Sequence, residues 1–140
     1  MTSITDTKNL EESFLLNLDF NKVKSIGGTS QSVLPAIIQH ESTKEVLMLG
    51  YMNEKAFNKT MSSGVITFWS TSRNELWIKG GSSGNRYFLK GVFVNCEQNS
   101  LLFLAVPELG GICHTTDESG DNRSSCYYRK IEADHQLKFI

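Results

Sequence analysis

At 140 residues with a formal net charge of −1, 39% hydrophobic and 21% charged residues, the chain has the makeup of an ordinary globular protein able to bury a real core. That balance excludes a nucleic-acid partner held by bulk electrostatics, which needs a basic excess. No apolar run approaches the roughly eighteen residues of a membrane span. The first nine residues are polar, without the apolar stretch of a signal peptide. With three cysteines in such a chain, the expected setting is the reducing cytoplasm, with thiols rather than disulfides.

Residues 1–8 read as a flexible tail ahead of a single domain over 9–140. Over 9–20, Leu10, Phe14, Leu15 and Leu18 recur at helical spacing, which predicts a short amphipathic helix. Gly27 and Gly28 break the chain. Residues 33–40 and 45–51 are apolar and β-branched around the polar Glu41-Ser42-Thr43-Lys44, a hairpin signal. Asn53 can cap a helix running to about Ser63, which Gly64 would close in the left-handed conformation. Further strands are predicted over 65–69, 75–79, 86–96 and 101–106, with a last apolar segment over 126–131 that Cys126 would open. Strand-rich, with two or three helices and neither repeat nor linker, the chain is expected to be α+β.

The cysteines carry the chemical signal: Cys96, then Cys113-His114-Thr115, then Cys126. Three thiolates are one ligand short of a closed structural zinc site and fit a catalytic one, whose fourth position is left to water. Zinc-bound water loses a proton near neutral pH, so hydrolysis is the chemistry to expect. His114, flanked by a potential ligand, could hold or move that proton. Spacing alone leaves two plainer alternatives open. The thiols could pack as small hydrophobes, and His114 could be an ordinary surface or core histidine.

A second constellation, residues 70–84, reads S-T-S-R-N-E-L-W-I-K-G-G-S-S-G. Arg73 and Lys79 offer positive charge to phosphate oxygens. Gly80, Gly81 and Gly84 would let backbone amides approach an anion, and the Ser82 and Ser83 hydroxyls add donors. Trp69 and Trp77 could stack on a base or wall off a pocket. The same residues would also suit a hairpin with a Gly/Ser turn and two core tryptophans.

Taken in order, these segments resemble the phosphoribosyl-AMP cyclohydrolases of histidine biosynthesis over about residues 34–131. The resemblance runs through Leu34-Pro35-Ala36-Ile37-Ile38-Gln39 and Val46-Leu47-Met48-Leu49-Gly50-Tyr51-Met52-Asn53. It continues through Phe68-Trp69-Ser70, Ser72-Arg73, Glu75-Leu76-Trp77-Ile78-Lys79-Gly80 and Ser82-Ser83-Gly84, and ends in Cys113-His114-Thr115 and Ser125-Cys126-Tyr127-Tyr128-Arg129. It implies an intertwined homodimer with active sites at the subunit interface, and zinc held by Cys96, Cys113 and Cys126 drawn from both subunits. The implied reaction adds water at C6 of the adenine ring of N1-(5-phosphoribosyl)-AMP and breaks the N1–C6 bond. His114 would be the proton shuttle, and Trp69, Ser70, Ser72, Arg73, Trp77, Lys79, Ser82, Ser83 and Gly84 the substrate-binding positions.

Two departures stand out. The family carries a D-C-D-x-D run, resembling a magnesium site, where this chain has Asn95-Cys96-Glu97-Gln98-Asn99. Magnesium is usually held through carboxylates, so a site at Asn95, Glu97 and Asn99 is expected to be weak or absent. Twelve residues separate Cys113 from Cys126, against about six in the family's pattern, so a loop has been lengthened. The added stretch contains Asp117, Glu118 and Asp121, which could replace the missing carboxylates. These changes leave room for two other readings: a paralogous zinc hydrolase acting on another phosphoribosyl purine, or a non-catalytic dimer stapled by zinc.

Overall fold

The computed structural model describes residues 11–14, 32–96 and 98–140. The predicted tail over 1–8, and the helix predicted over 9–20 apart from 11–14, lie outside the described residues.

Apolar runs build the main sheet, with burial alternating along its two central strands. β1 (Leu34–His40) and β2 (Val46–Met52) pair antiparallel around the predicted turn. His40 closes that turn. Its Nδ1 accepts the Ser42 N–H at 3.1 Å, and its carbonyl accepts the Lys44 N–H at 3.0 Å, with Lys44 in the left-handed region at φ 64. α1 (Glu54–Ser63) starts and stops where its cap residues dictate. The Asn53 side chain accepts the Ala56 N–H at 2.8 Å, and Gly64, at φ 72, donates to the Thr60 carbonyl at 2.9 Å. The buried Thr60 hydroxyl accepts the Thr67 N–H at 3.0 Å and so ties α1 to β3 (Thr67–Ser70).

β3 forms a hairpin with β4 (Glu75–Ile78). β5 (Tyr87–Val94) and β6 (Leu101–Pro107) pair antiparallel, and β6 lies parallel to β1, giving the order β2-β1-β6-β5. In the β1–β6 ladder Ile38 faces Phe103, and these with Ala36 and Ala105 are fully buried. Leu47, Met52, Ala56, Ile66, Phe68 and Tyr87 complete a core between the sheet, α1 and the β3–β4 hairpin. A short hairpin of β7 (Arg129–Ile131) and β8 (Leu137–Phe139) ends the chain.

The architecture is a strand-rich α+β domain. Among the described residues it has one full helix, of ten residues; the helix expected over 9–20 lies mostly outside them. The predicted strand over 126–131 is corrected to 129–131. Cys126 precedes it in irregular chain because its N–H bonds the Leu47 carbonyl at 2.8 Å, while the Ser125 hydroxyl bonds the Val46 carbonyl at 2.8 Å. Both bonds pin the segment across the start of β2 and keep it out of a ladder. Among the described residues no helix is long and apolar enough to cross a membrane.

Candidate active site

The Tyr87 end of β5 is where the chemistry gathers. Between β6 and β7 the chain runs without regular structure, yet its backbone is held at close intervals. The Cys113 N–H donates to the Arg123 carbonyl at 3.0 Å, and the Cys113 carbonyl accepts from Asn122 Nδ2 at 2.7 Å. The Arg123 N–H returns to the Thr115 carbonyl at 3.0 Å. The lengthened loop therefore folds back on its own stem. Gly111 makes this approach possible: a Cβ there would lie 2.1 Å from the Asn122 carbonyl oxygen. At the loop's tip, Asp117 Oδ1 accepts the N–H groups of Ser119 and Asp121 at 2.9 and 3.1 Å, so this carboxylate serves its own turn.

Cys113 is buried, with its Sγ 3.0 Å from the Thr115 hydroxyl. Cys126 is exposed as a residue, but its sulfur faces Cys113. Burial first, and then the neighbouring Cys113 thiol, push the Cys126 thiol up to about 11, against the downward pull of the Lys79 ammonium. Burial likewise pushes the nearby Tyr87 phenol up. Two facing thiols, with Cys126 reluctant to ionise in the bare protein, are a donor pair suited to a soft cation, which stabilises both thiolates together.

Lys79, Ser83, Asn85, Cys113, His114 and Asp121 line one cleft of about 760 Å³ beside this pair. Asn85 is its bracket. Its Nδ2 lies 3.0 Å from the Tyr87 hydroxyl and 2.9 Å from the Gly111 carbonyl, and its Oδ1 accepts the Leu109 N–H at 2.7 Å. Sequence reading missed Asn85 and Tyr87. The only signal for Asn85 is an amide directly after the Gly/Ser turn, where such residues often cap backbone.

Other predicted residues lie elsewhere. Cys96 is exposed in the turn between β5 and β6, at the opposite end of β5 from Tyr87. Eight residues of strand put roughly 25 Å between those ends. One chain thus brings together Cys113 and Cys126 but not Cys96, and no cluster of three or more metal-binding side chains occurs among the described residues. Ser70 ends β3, and Ser72 and Arg73 follow it in the β3–β4 turn. There the Ser70 hydroxyl lies 3.3 Å from both Ser72 Oγ and Arg73 Nε, and Arg73 pairs with Glu75 at 3.4 Å. Trp77 packs on Phe68 at 5.5 Å between centroids and carries the Lys79 ammonium 5.4 Å over its ring. Trp69 is half-buried on β3, and its indole N–H has no partner among the described residues. Ser82 is exposed, and Gly84, at φ 81, closes the turn by donating to the Gly80 carbonyl at 2.9 Å.

Two of the magnesium positions, Asn95 and Asn99, are engaged with each other. Asn95 Nδ2 donates to Asn99 Oδ1 at 2.7 Å, and Asn95 Oδ1 accepts the N–H groups of Asn99 and Ser100, each at 2.9 Å. The two amides satisfy each other and the turn without a cation. Glu97 lies outside the described residues.

The fold and this cleft define a class: a small strand-rich α+β domain with a thiol–imidazole centre at the mouth of a lysine- and serine-lined cleft. Comparison with known proteins narrows it. The family model described as phosphoribosyl-AMP cyclohydrolase matches residues 48–128. A phosphoribosyl-AMP cyclohydrolase of Solibacter usitatus is 39% identical over 118 residues, covering 84% of this chain and 83% of the relative. One of Leifsonia xyli is 47% identical over 87 residues, covering 62% and 69%. The histidine biosynthesis bifunctional protein HisIE of Staphylococcus aureus is 44% identical over 90 residues, which cover 64% of this chain and 42% of that protein. The chain belongs to the phosphoribosyl-AMP cyclohydrolase family of enzymes.

Proposed function

We propose that this chain opens the adenine ring of N1-(5-phosphoribosyl)-AMP by hydrolysis, a step of histidine biosynthesis, as a cytoplasmic homodimer with two shared sites. The observation that carries the reading is the meeting of Cys113, His114, Lys79 and Ser83 around one cleft, with Cys126 against Cys113, in a member of this family. Cys113 and Cys126 of one subunit, with Cys96 of a second copy, would hold zinc. Bound there, zinc supplies the Lewis acidity that makes water nucleophilic near neutral pH.

The residues of this chain divide the remaining work. Water adds through oxygen to C6, the N1–C6 bond breaks, and C6 with its exocyclic nitrogen becomes a carboxamide. N1 leaves with the bonding pair and needs a proton. His114, in the cleft wall beside Cys113, takes a proton from the attacking water and delivers one to N1. The substrate carries two phosphates, and the β3–β4 hairpin presents one cation near each end. Lys79 with Ser82, Ser83 and the Gly84 turn would bind the phosphate nearer the thiols. Arg73 with Ser70 and Ser72 would bind the other, with Trp69 and Trp77 alongside the base or ribose. Magnesium has no part in this scheme, because Asn95 and Asn99 occupy each other.

Turnover of phosphoribosyl-AMP by the zinc-loaded protein, followed by the absorbance change as the purine opens, tests the reading. Clear turnover supports it. A folded, zinc-loaded dimer that leaves the substrate intact overturns it.

A further inference from the structure

His114 does not stand alone at the cleft. Its Nε2 meets the carboxylate of Glu11, a residue 103 positions earlier in the chain and upstream of the segment matched by the family model. A carboxylate and an exposed imidazole would count for little as an isolated surface pair. This one is presented by a fixed strap. The Tyr128 hydroxyl donates to the Glu11 carbonyl at 2.7 Å, and Arg123 grips the Glu12 carboxylate with two bonds, at 2.9 and 3.2 Å. Arg129 donates to the Ser13 carbonyl at 2.9 Å, the Leu137 N–H to the Phe14 carbonyl at 3.0 Å, and the Phe14 ring packs edge-on to Phe139 at 5.4 Å. Residues 11–14 are thus fastened to the segment that carries Cys126. The Glu11 side chain is 25% exposed, against 72% for His114, so the carboxylate is the better anchored of the two.

We propose that Glu11 is a positioning residue for His114, a carboxylate that fixes the ring's orientation and its tautomer through Nε2. An ionised carboxylate only accepts hydrogen bonds, so in the neutral ring the contact selects the tautomer with its proton on Nε2 and Nδ1 as the lone-pair nitrogen. A fixed ring offers its basic nitrogen in one direction, which proton transfer rewards and substrate binding does not. This role rests on the reaction proposed above, and its test separates the two.

The variants are E11A in the full-length, zinc-loaded protein and the same protein given formate. E11A is expected to lower kcat by about tenfold to a hundredfold, by analogy with the loss when the carboxylate partner of a metal-bound histidine is removed. KM should stay within about twofold and melting unchanged, and formate should restore part of kcat by refilling the vacated anion position. Wild-type kcat in E11A overturns the proposal. So does a higher kcat, which would mean the strap holds His114 back, or a loss that tracks lowered melting and ignores formate. Histidine-ring ¹⁵N spectra read the contact without turnover. The His114 Nε2 resonance should move in E11A while His40 and His135 keep theirs, and an unmoved spectrum overturns the proposal. A moved spectrum in an enzyme whose wild type is inactive supports the positioning and overturns only the reaction.

Discussion

The two ends of β5 are built on different principles. At the Tyr87 end, Cys113 is buried, its loop is bonded to itself at Thr115, Asn122 and Arg123, and Asn85 clamps the neighbouring backbone. At the Val94 end, Cys96 is exposed, and Phe93 and Val94 are 54% and 53% exposed beside an apolar groove of about 550 Å³ lined by Leu34, Met52, Phe57 and Leu101. One end is finished within the chain. The other presents apolar surface and a lone thiol, the combination that contact with another molecule would cover. In the proposed dimer each finished end meets the unfinished end of a second copy.

The largest expected effect breaks that complementarity. C113A or C126A should lose zinc and cut turnover by at least about a thousandfold, since the metal's transition-state stabilisation is worth several kcal/mol. C96A should do the same from the other end. Mixed and refolded together, C96A and C113A should recover about a quarter of wild-type activity, because half the dimers carry one intact composite site. No recovery in a mixture that forms heterodimers would place all the ligands in one subunit and end the two-ended scheme.

Next in size are the two cations of the β3–β4 hairpin. K79A should raise KM by about tenfold to a hundredfold, the worth of a charge-assisted hydrogen bond, and lower kcat as well because Lys79 lies beside the reacting centre. R73A should raise KM by less and spare kcat, because Arg73 is already paired with Glu75 and more than half exposed. Steady-state kinetics of both variants decides this. Identical profiles would put both cations on one phosphate.

How much of this was written in the sequence depends on range. The turn at Glu41 to Lys44, the Asn53 cap and the Gly64 stop were legible because each is a local rule, satisfied within five residues. The same holds for the strands up to β6, which are apolar runs bounded by polar turns. The stretch from Glu108 to Tyr128 has no period to read, since its order comes from long-range bonds such as Cys126 to Leu47 and Asn85 to Gly111. For the same reason β7 begins later than its apolar residues suggest, and β8, at three residues, is too short to announce itself. The candidate site was legible as a set of residue types. Spacing could not show that Cys96 and Cys113 lie at opposite ends of one strand, nor that Glu11 returns to His114.

Stability should follow the same division. N85A strips a half-buried bracket, leaving the Leu109 N–H and the Gly111 carbonyl to water, and should cost about 1 kcal/mol. Chemical denaturation measures this directly. A cost near zero would mean the Cys113 loop is held by its own bonds alone, and that the finished end needs no help from the residues leading into β5.

The smallest expected effect lies in the Asn95–Asn99 pair at the unfinished end. Wild-type melting should be indifferent to magnesium, since both amides are already satisfied. N95D alone should be nearly neutral. Its remaining oxygen keeps the Asn99 and Ser100 N–H bonds, and the Asn99 amide can turn over to donate where it now accepts. N95D/N99D has no such escape, because two carboxylates would face each other across a gap that is now a 2.7 Å hydrogen bond. Melting should fall by about 3–5 °C, the equivalent of roughly 1 kcal/mol at this chain length. Magnesium should then restore it, by bridging the two charges. A wild type stabilised by magnesium, or a double variant indifferent to it, would mean that the amide pair is not what replaces the cation at this end of the strand.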